Sequence, residues 1–127
     1  VSAAHDTAFS RITVVVQGEP STYDQILRQL NKLVDVVHAT SHESTDVVDR
    51  EMALFKVKVD PKKRAAIFQI VDVFRAKTVD ITDQSLVIET TGDSSKIDAL
   101  EKLLGPMGLV EMVRTGKLIM KRGIEET

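Results

Sequence analysis

The sequence predicts an α+β fold of two ferredoxin-like (βαββαβ) modules, the N-terminal one lacking its first strand and helix. From Arg50 onward the apolar spacing alternates between strand-like and helix-like periods in the order β-α-β-β-α-β. The preceding stretch has the order β-β-α-β, the same unit without its opening strand and helix. Turn and cap residues separate the segments at Gly18-Glu19-Pro20-Ser21, Asp60-Pro61, Thr91-Gly92-Asp93-Ser94 and Gly105-Pro106. The expected division is a partial first module over residues 1–45 and a complete second module over 46–127.

Arg11–Val16 (RITVVV) is β-branched and free of breakers, which predicts a strand. Ser21 with Asp24 three residues on resembles a capping box, and Ile26, Leu27, Leu30 and Leu33 then share one helical face. Val34–Thr40 reads as a second strand, and Ser41–Asp46 as a polar loop. In Glu51–Val59, Phe55, Val57 and Val59 alternate with Lys56 and Lys58, as a sheet with one wet face requires. Asp60 and Pro61 start a helix whose stripe is Ile67, Ile70, Val71 and Phe74. Thr78–Ile81 and Leu86–Thr90 are short strands about an Asp83-Gln84 turn. Ser94 and Ser95 are expected to cap a last helix with a face of Ile97, Leu100 and Leu104, ended by Gly105 and Pro106. Leu109–Arg114 and Lys117–Lys121 close the chain as one strand, or as two broken at Gly116.

Composition narrows the function. The 127 residues are 43% hydrophobic and 28% charged, a globular balance. A net charge of -2 and 4% aromatic residues argue against a nucleic-acid partner or an anionic lipid surface. Without cysteine there is no disulfide, thiolate metal site or cysteine nucleophile. No apolar run approaches the ~20 residues that span a bilayer, and no signal peptide is visible.

Candidate chemistry does not assemble. His38 and His42 have i, i+4 spacing but fall on a strand and a loop, and His5 stands alone, so surface histidines are the reading. Asp46, Asp49 and Glu51 lack the glycine-turned loop and further oxygen donors of a hard-cation site. No glycine pattern fits a phosphate-binding loop, and no histidine in the second half could activate Ser94 or Ser95. Lys62, Lys63 and Arg64 form a basic run at a helix start, read as a solvated face. Two modules without an active site point to ligand sensing or protein contact.

Several stretches carry a resemblance. SRITVVV at Ser10–Val16 and QILRQLNKLVDVV at Gln25–Val37 resemble the second half of the ACT domain of acetolactate (acetohydroxyacid) synthase small subunits. REMALFKVKV at Arg50–Val59, DVFRAKTVDIT at Asp72–Thr82, TGDSSKIDALEKLL at Thr91–Leu104 and EMVRTGKLIMKRG at Glu111–Gly123 resemble that family's C-terminal domain, in order and spacing. The resemblance implies a non-catalytic regulatory subunit that activates a catalytic subunit and mediates feedback inhibition by valine or another branched-chain amino acid. It places thiamine diphosphate, magnesium and FAD on the catalytic partner and no cofactor on this chain. It also implies a homodimer through the ACT domains, in the cytoplasm or, in a photosynthetic eukaryote, the plastid stroma.

The chain opens at Val1, inside the second strand of the ACT domain by this alignment, so the effector pocket is expected to be incomplete. Two effector-binding positions carry over from the family, Ser2 at the end of that strand and Gln25 on the following helix. Arg11–Val16 and Val34–Thr40 are expected to help build the dimer by sheet continuation. The alternative is an ACT-type amino-acid sensor serving a different enzyme or regulator, against which the second-half motifs speak.

Overall fold

The computed structural model describes residues 2–3, 10–33 and 46–127, and the chain divides into two compact units. One comprises Val1–Val48 with Ile119–Thr127, the other Asp49–Leu118. Ile119–Thr127 therefore lies in the first unit, whereas the sequence-based division ran the second module to residue 127.

The second unit is built on β3 (Val47–Lys58), whose first two residues belong to the first unit. Its alternation is the two-residue period of a strand with one covered face: Ala53, Phe55 and Val57 are buried, as is Val59 just beyond, while Leu54, Lys56 and Lys58 are exposed. Helix α2 (Arg64–Val73) and strands β4 (Lys77–Ile81) and β5 (Ser85–Gly92) follow. Then come α3 (Ser94–Leu104), a 3-10 turn at Gly105–Met107, and β6 (Leu109–Arg114). The strands lie in the order β4-β5-β3-β6, every neighbouring pair antiparallel. This is the ferredoxin-like arrangement that the element order predicted.

Register sets which side chains meet. β3 and β5 pair from Glu51↔Gly92 to Lys58↔Ser85, so Phe55 faces Ile88 and Val57 faces Leu86. β6 brings Met112 opposite Phe55. Ile67 and Val71 of α2 and Ile97, Leu100 and Leu104 of α3 close the core over that face. Phe55, Ile67, Leu86, Ile88, Ile97, Leu100 and Leu104 are fully buried, each stabilising the fold by about 1.5–3 kcal/mol relative to exposure.

Two backbone positions need a positive φ. Gly108 turns the chain into β6 with φ 105, and a Cβ there would stand 2.3 Å from the Lys58 carbonyl oxygen. Glycine lets the strands close, with the Lys58 amide donating to the Gly108 carbonyl at 2.8 Å. After α2, the Ala76 amide donates to Val71 O (2.9 Å) and the Arg75 amide to Asp72 O (3.1 Å), a Schellman-type end. Such an end needs a left-handed residue, and here Arg75 (φ 51) supplies it at a cost of about 1 kcal/mol relative to glycine.

Caps correct the sequence reading in two places. α1 (Pro20–Asn31) has Glu19 at its cap position and no side-chain cap bond, because Pro20 with its fixed φ takes the first helical position and puts Ser21 inside. On α3 the cap is Asp93 rather than Ser94 or Ser95: its carboxylate accepts from the Lys96 amide at 2.9 Å and from the Ser95 hydroxyl at 2.7 Å. Asp60 does as expected, accepting from the Lys62 and Lys63 amides at 2.9 and 3.0 Å, one turn before the regular helix.

In the first unit, β1 (Ser2–Ala3) pairs antiparallel with β2 (Ser10–Arg11), Ser2 opposite Arg11. The strand expected over Arg11–Val16 is therefore formed only at its start, and Ile12, Val14 and Val15 are more than 60% exposed. β-branched residues favour extended backbone, but a strand also needs a neighbour's amides and carbonyls, and β1 meets only two residues. The expected strand Val34–Thr40 lies outside the described residues. The chain's last strand, β7 (Leu118–Lys121), is separate from β6, with Gly116 at φ 78 between them.

Candidate functional site

The two effector positions lie in the first unit. Ser2 sits on β1, its backbone opposite Arg11, and Gln25 stands exposed in the middle of α1. Among the described residues no hydrogen bond links Gln25 to β1. Ile26, Leu27 and Leu30 on the same helix are half-buried, and Leu33 is exposed.

The second unit holds a polar junction that the sequence reading did not foresee. Arg114, at the end of β6, donates to Glu51 on β3 and to Asp98 on α3, the latter at 2.5 Å, with Glu101 at 3.9 Å. Glu51 is only 4% exposed, so its charge must be matched inside the fold. The Arg114 hydrogen bond holds the Glu51 carboxyl below the usual carboxylate range, with the Ser94 side chain and the Arg114 charge helping and desolvation opposing. Donating to Glu51 and then to Asp98 raises the Arg114 guanidinium above its ordinary value in turn. One signal was readable: Glu51 shares the inward parity of Ala53, Phe55 and Val57, and Arg114 that of Met112, so opposite charges stood at inward positions of two strands.

The other candidates resolve simply. Asp49 lies 3.9 Å from Lys117, and no three His, Asp or Glu side chains among the described residues could hold a metal. His5, His38 and His42 lie outside the described residues. In the basic run, Arg64 is not solvated as expected: its guanidinium donates to the Thr82 and Asp83 carbonyls at 2.9 and 3.1 Å, tying α2 to the β4–β5 turn.

Two concavities open on the second unit. An apolar groove of about 440 Å³ runs along α2 and α3, lined by Ile70, Val73, Phe74, Leu103 and Met107 among others. A smaller cleft of about 220 Å³ lies where α2 gives way to β4, lined by Arg75, Lys77, Glu89, Thr90 and Thr91. Neither gathers a nucleophile beside a base, so the geometry suits binding rather than covalent chemistry.

A family profile described as "Small subunit of acetolactate synthase" matches residues 50–123. The acetolactate synthase small subunit of Mycolicibacterium smegmatis is 42% identical over 97% of this chain and 72% of its own length. The chloroplastic acetolactate synthase small subunit 1 of Nicotiana plumbaginifolia is 46% identical over 87% of this chain, which spans only 24% of that protein. The crystal structure of the Thermotoga maritima acetolactate synthase small subunit superposes with a TM-score of 0.77 at 39% identity, over 86% of this chain and 68% of that one. No helix among the described residues is long and apolar enough to cross a membrane. With the profile spanning most of the second unit and relatives aligned across both, this chain belongs to the acetolactate synthase small-subunit family.

Proposed function

We propose that this chain is a non-catalytic regulatory subunit that binds an acetolactate synthase catalytic subunit, raises its activity and mediates feedback inhibition by valine or another branched-chain amino acid. The observation that carries this reading is the match along both units to proteins named small subunits, at up to 97% coverage of the chain. The chemistry agrees. Among the described residues the carboxyl groups whose acidity is shifted, Glu51, Asp93 and Glu125, are each held by a neighbouring side chain in an ion pair or a helix cap. Such groups stabilise structure and are not poised for acid–base work. Thiamine diphosphate, magnesium and FAD then reside on the catalytic partner.

In this reading the residues 1–45 form the effector and dimerisation portion and 46–127 the C-terminal domain. A homodimer through the ACT portion completes the amino-acid site, because Ser2 at a two-residue strand and Gln25 on an open helix face offer two groups, too few to enclose a ligand. Effector binding at a subunit interface biases how the copies pair, and so how they hold the enzyme. The compartment follows the partner: cytoplasm, or plastid stroma in a photosynthetic eukaryote. Size-exclusion chromatography of the chain mixed with the matching catalytic subunit tests the association. Co-elution supports the reading, and separate elution at tens of micromolar overturns it.

A further inference from the structure

We propose that the cleft between the end of α2 and β4–β5 binds a small organic monoanion, a carboxylate held by Arg75 and Lys77. The inference goes beyond the regulatory role and uses the second unit alone. Four observations meet there. The cleft encloses about 220 Å³, room for a metabolite of a few heavy atoms. Arg75 and Lys77 line it, and neither makes an ion pair among the described residues, although Lys77 stands directly across the ladder from Glu89. With Glu89 as the only carboxylate in the lining, the three side chains leave a single positive charge, which matches a monoanion.

The fourth observation is the backbone. Positive φ occurs at Gly18, Gly108, Gly116 and Gly123, and among the described non-glycine residues only at Arg75. A glycine would satisfy the same helix-ending hydrogen bonds without strain, so what the chain gains at this position is the guanidinium. A planar fork of donors at the cleft's rim suits bidentate capture of a carboxylate, with Lys77 as a second point charge. Glu89 disfavours dianions and accepts from a hydroxyl next to the ligand's carboxylate. Thr91 adds a neutral polar wall. The Thr90 hydroxyl is sealed from solvent and is not part of the binding set.

The test uses the full chain, labelled for amide NMR at constant ionic strength, titrated with lactate, acetate and, as the control, chloride. Lactate is expected to shift the amides of Ala76, Lys77 and Glu89–Thr91 saturably in the millimolar range, acetate more weakly, and chloride not at all. Arg75→Gly removes the guanidinium and the strain together, so it is expected to raise the melting temperature while weakening lactate binding about tenfold or more. Arg75→Gln keeps the strain and is expected to lose binding alike. Glu89→Gln is expected to admit acetate as well as lactate. Shifts that chloride reproduces, or lactate binding unchanged in both Arg75 variants, would overturn the proposal.

Discussion

Replacing Gly108 by alanine separates steric from conformational effects of a side chain at a left-handed position. The new Cβ would stand 2.3 Å from the Lys58 carbonyl oxygen, a backbone atom that cannot swing aside. Reaching even 3.0 Å, below which real Cβ contacts are essentially never found, requires a shift of about 0.7 Å between the start of β6 and β3. That shift strains the Lys58 amide to Gly108 carbonyl bond of 2.8 Å, worth about 1 kcal/mol net. Left-handed alanine adds about 1–2 kcal/mol. Displaced packing beneath Val57, fully buried beside this turn, brings the loss to about 3–4 kcal/mol. At about 4 °C per kcal/mol for a chain this size, the midpoint falls by about 12–16 °C. Gly116→Ala is the internal control, since Gly116 is also left-handed (φ 78) but a Cβ there meets nothing within 4 Å. It should cost only the conformational part, about 1–2 kcal/mol. Thermal or urea unfolding of both variants decides the matter. Equal losses would refute the claim that Gly108 is required for closeness as well as for its φ.

Further outcomes follow from the polar groups. Glu51→Gln leaves Arg114 without its most buried partner and should cost about 2 kcal/mol at neutral pH, read by urea unfolding. Because the folded-state acidity of Glu51 is depressed, its contribution is fully present above the ordinary carboxylate value of 4.5 and is lost as pH falls through the lower folded value. The wild-type stability curve should thus drop in that acid window more steeply than the Glu51→Gln curve, and parallel curves would exclude the coupling. Thr90→Val removes a buried hydroxyl that has no hydrogen-bond partner, and should be neutral or stabilising by up to about 1 kcal/mol. A loss above that in the melting midpoint would mean the hydroxyl is satisfied in solution.

What the sequence made legible depended on period and on punctuation. The second unit could be read because Phe55, Val57 and Val59 alternate, Ile67 and Val71 or Ile97, Leu100 and Leu104 repeat at helical spacing, and Asp60-Pro61 and Gly105-Pro106 mark ends. Its antiparallel order then follows from few topologies. The run Arg11–Val16 misled because β propensity reports a residue's fit to a sheet, while the strand depends on a neighbouring backbone that propensity does not contain. Asp93, Ser94 and Ser95 are three residues in a row that can cap a helix, and only the backbone at Asp93 (ψ 169) decides which is outside it.

The candidate sites were less legible for a related reason. Ser2 and Gln25 came from resemblance and not from any local pattern. Arg75 and Glu89 are fourteen positions apart, and the register Lys77↔Glu89 that brings β4 beside β5 is not written in either segment. The Glu51–Arg114 pair spans 63 positions, and only its inward parity hinted at it.

The central claim is that this chain acts through an acetolactate synthase catalytic subunit. The most direct measurement is the rate of acetolactate formation by the matching catalytic subunit alone, with a molar excess of this chain, and with valine added. A severalfold rise in rate on adding the chain, reversed by valine, is the expected result. An unchanged rate at saturating chain would contradict it.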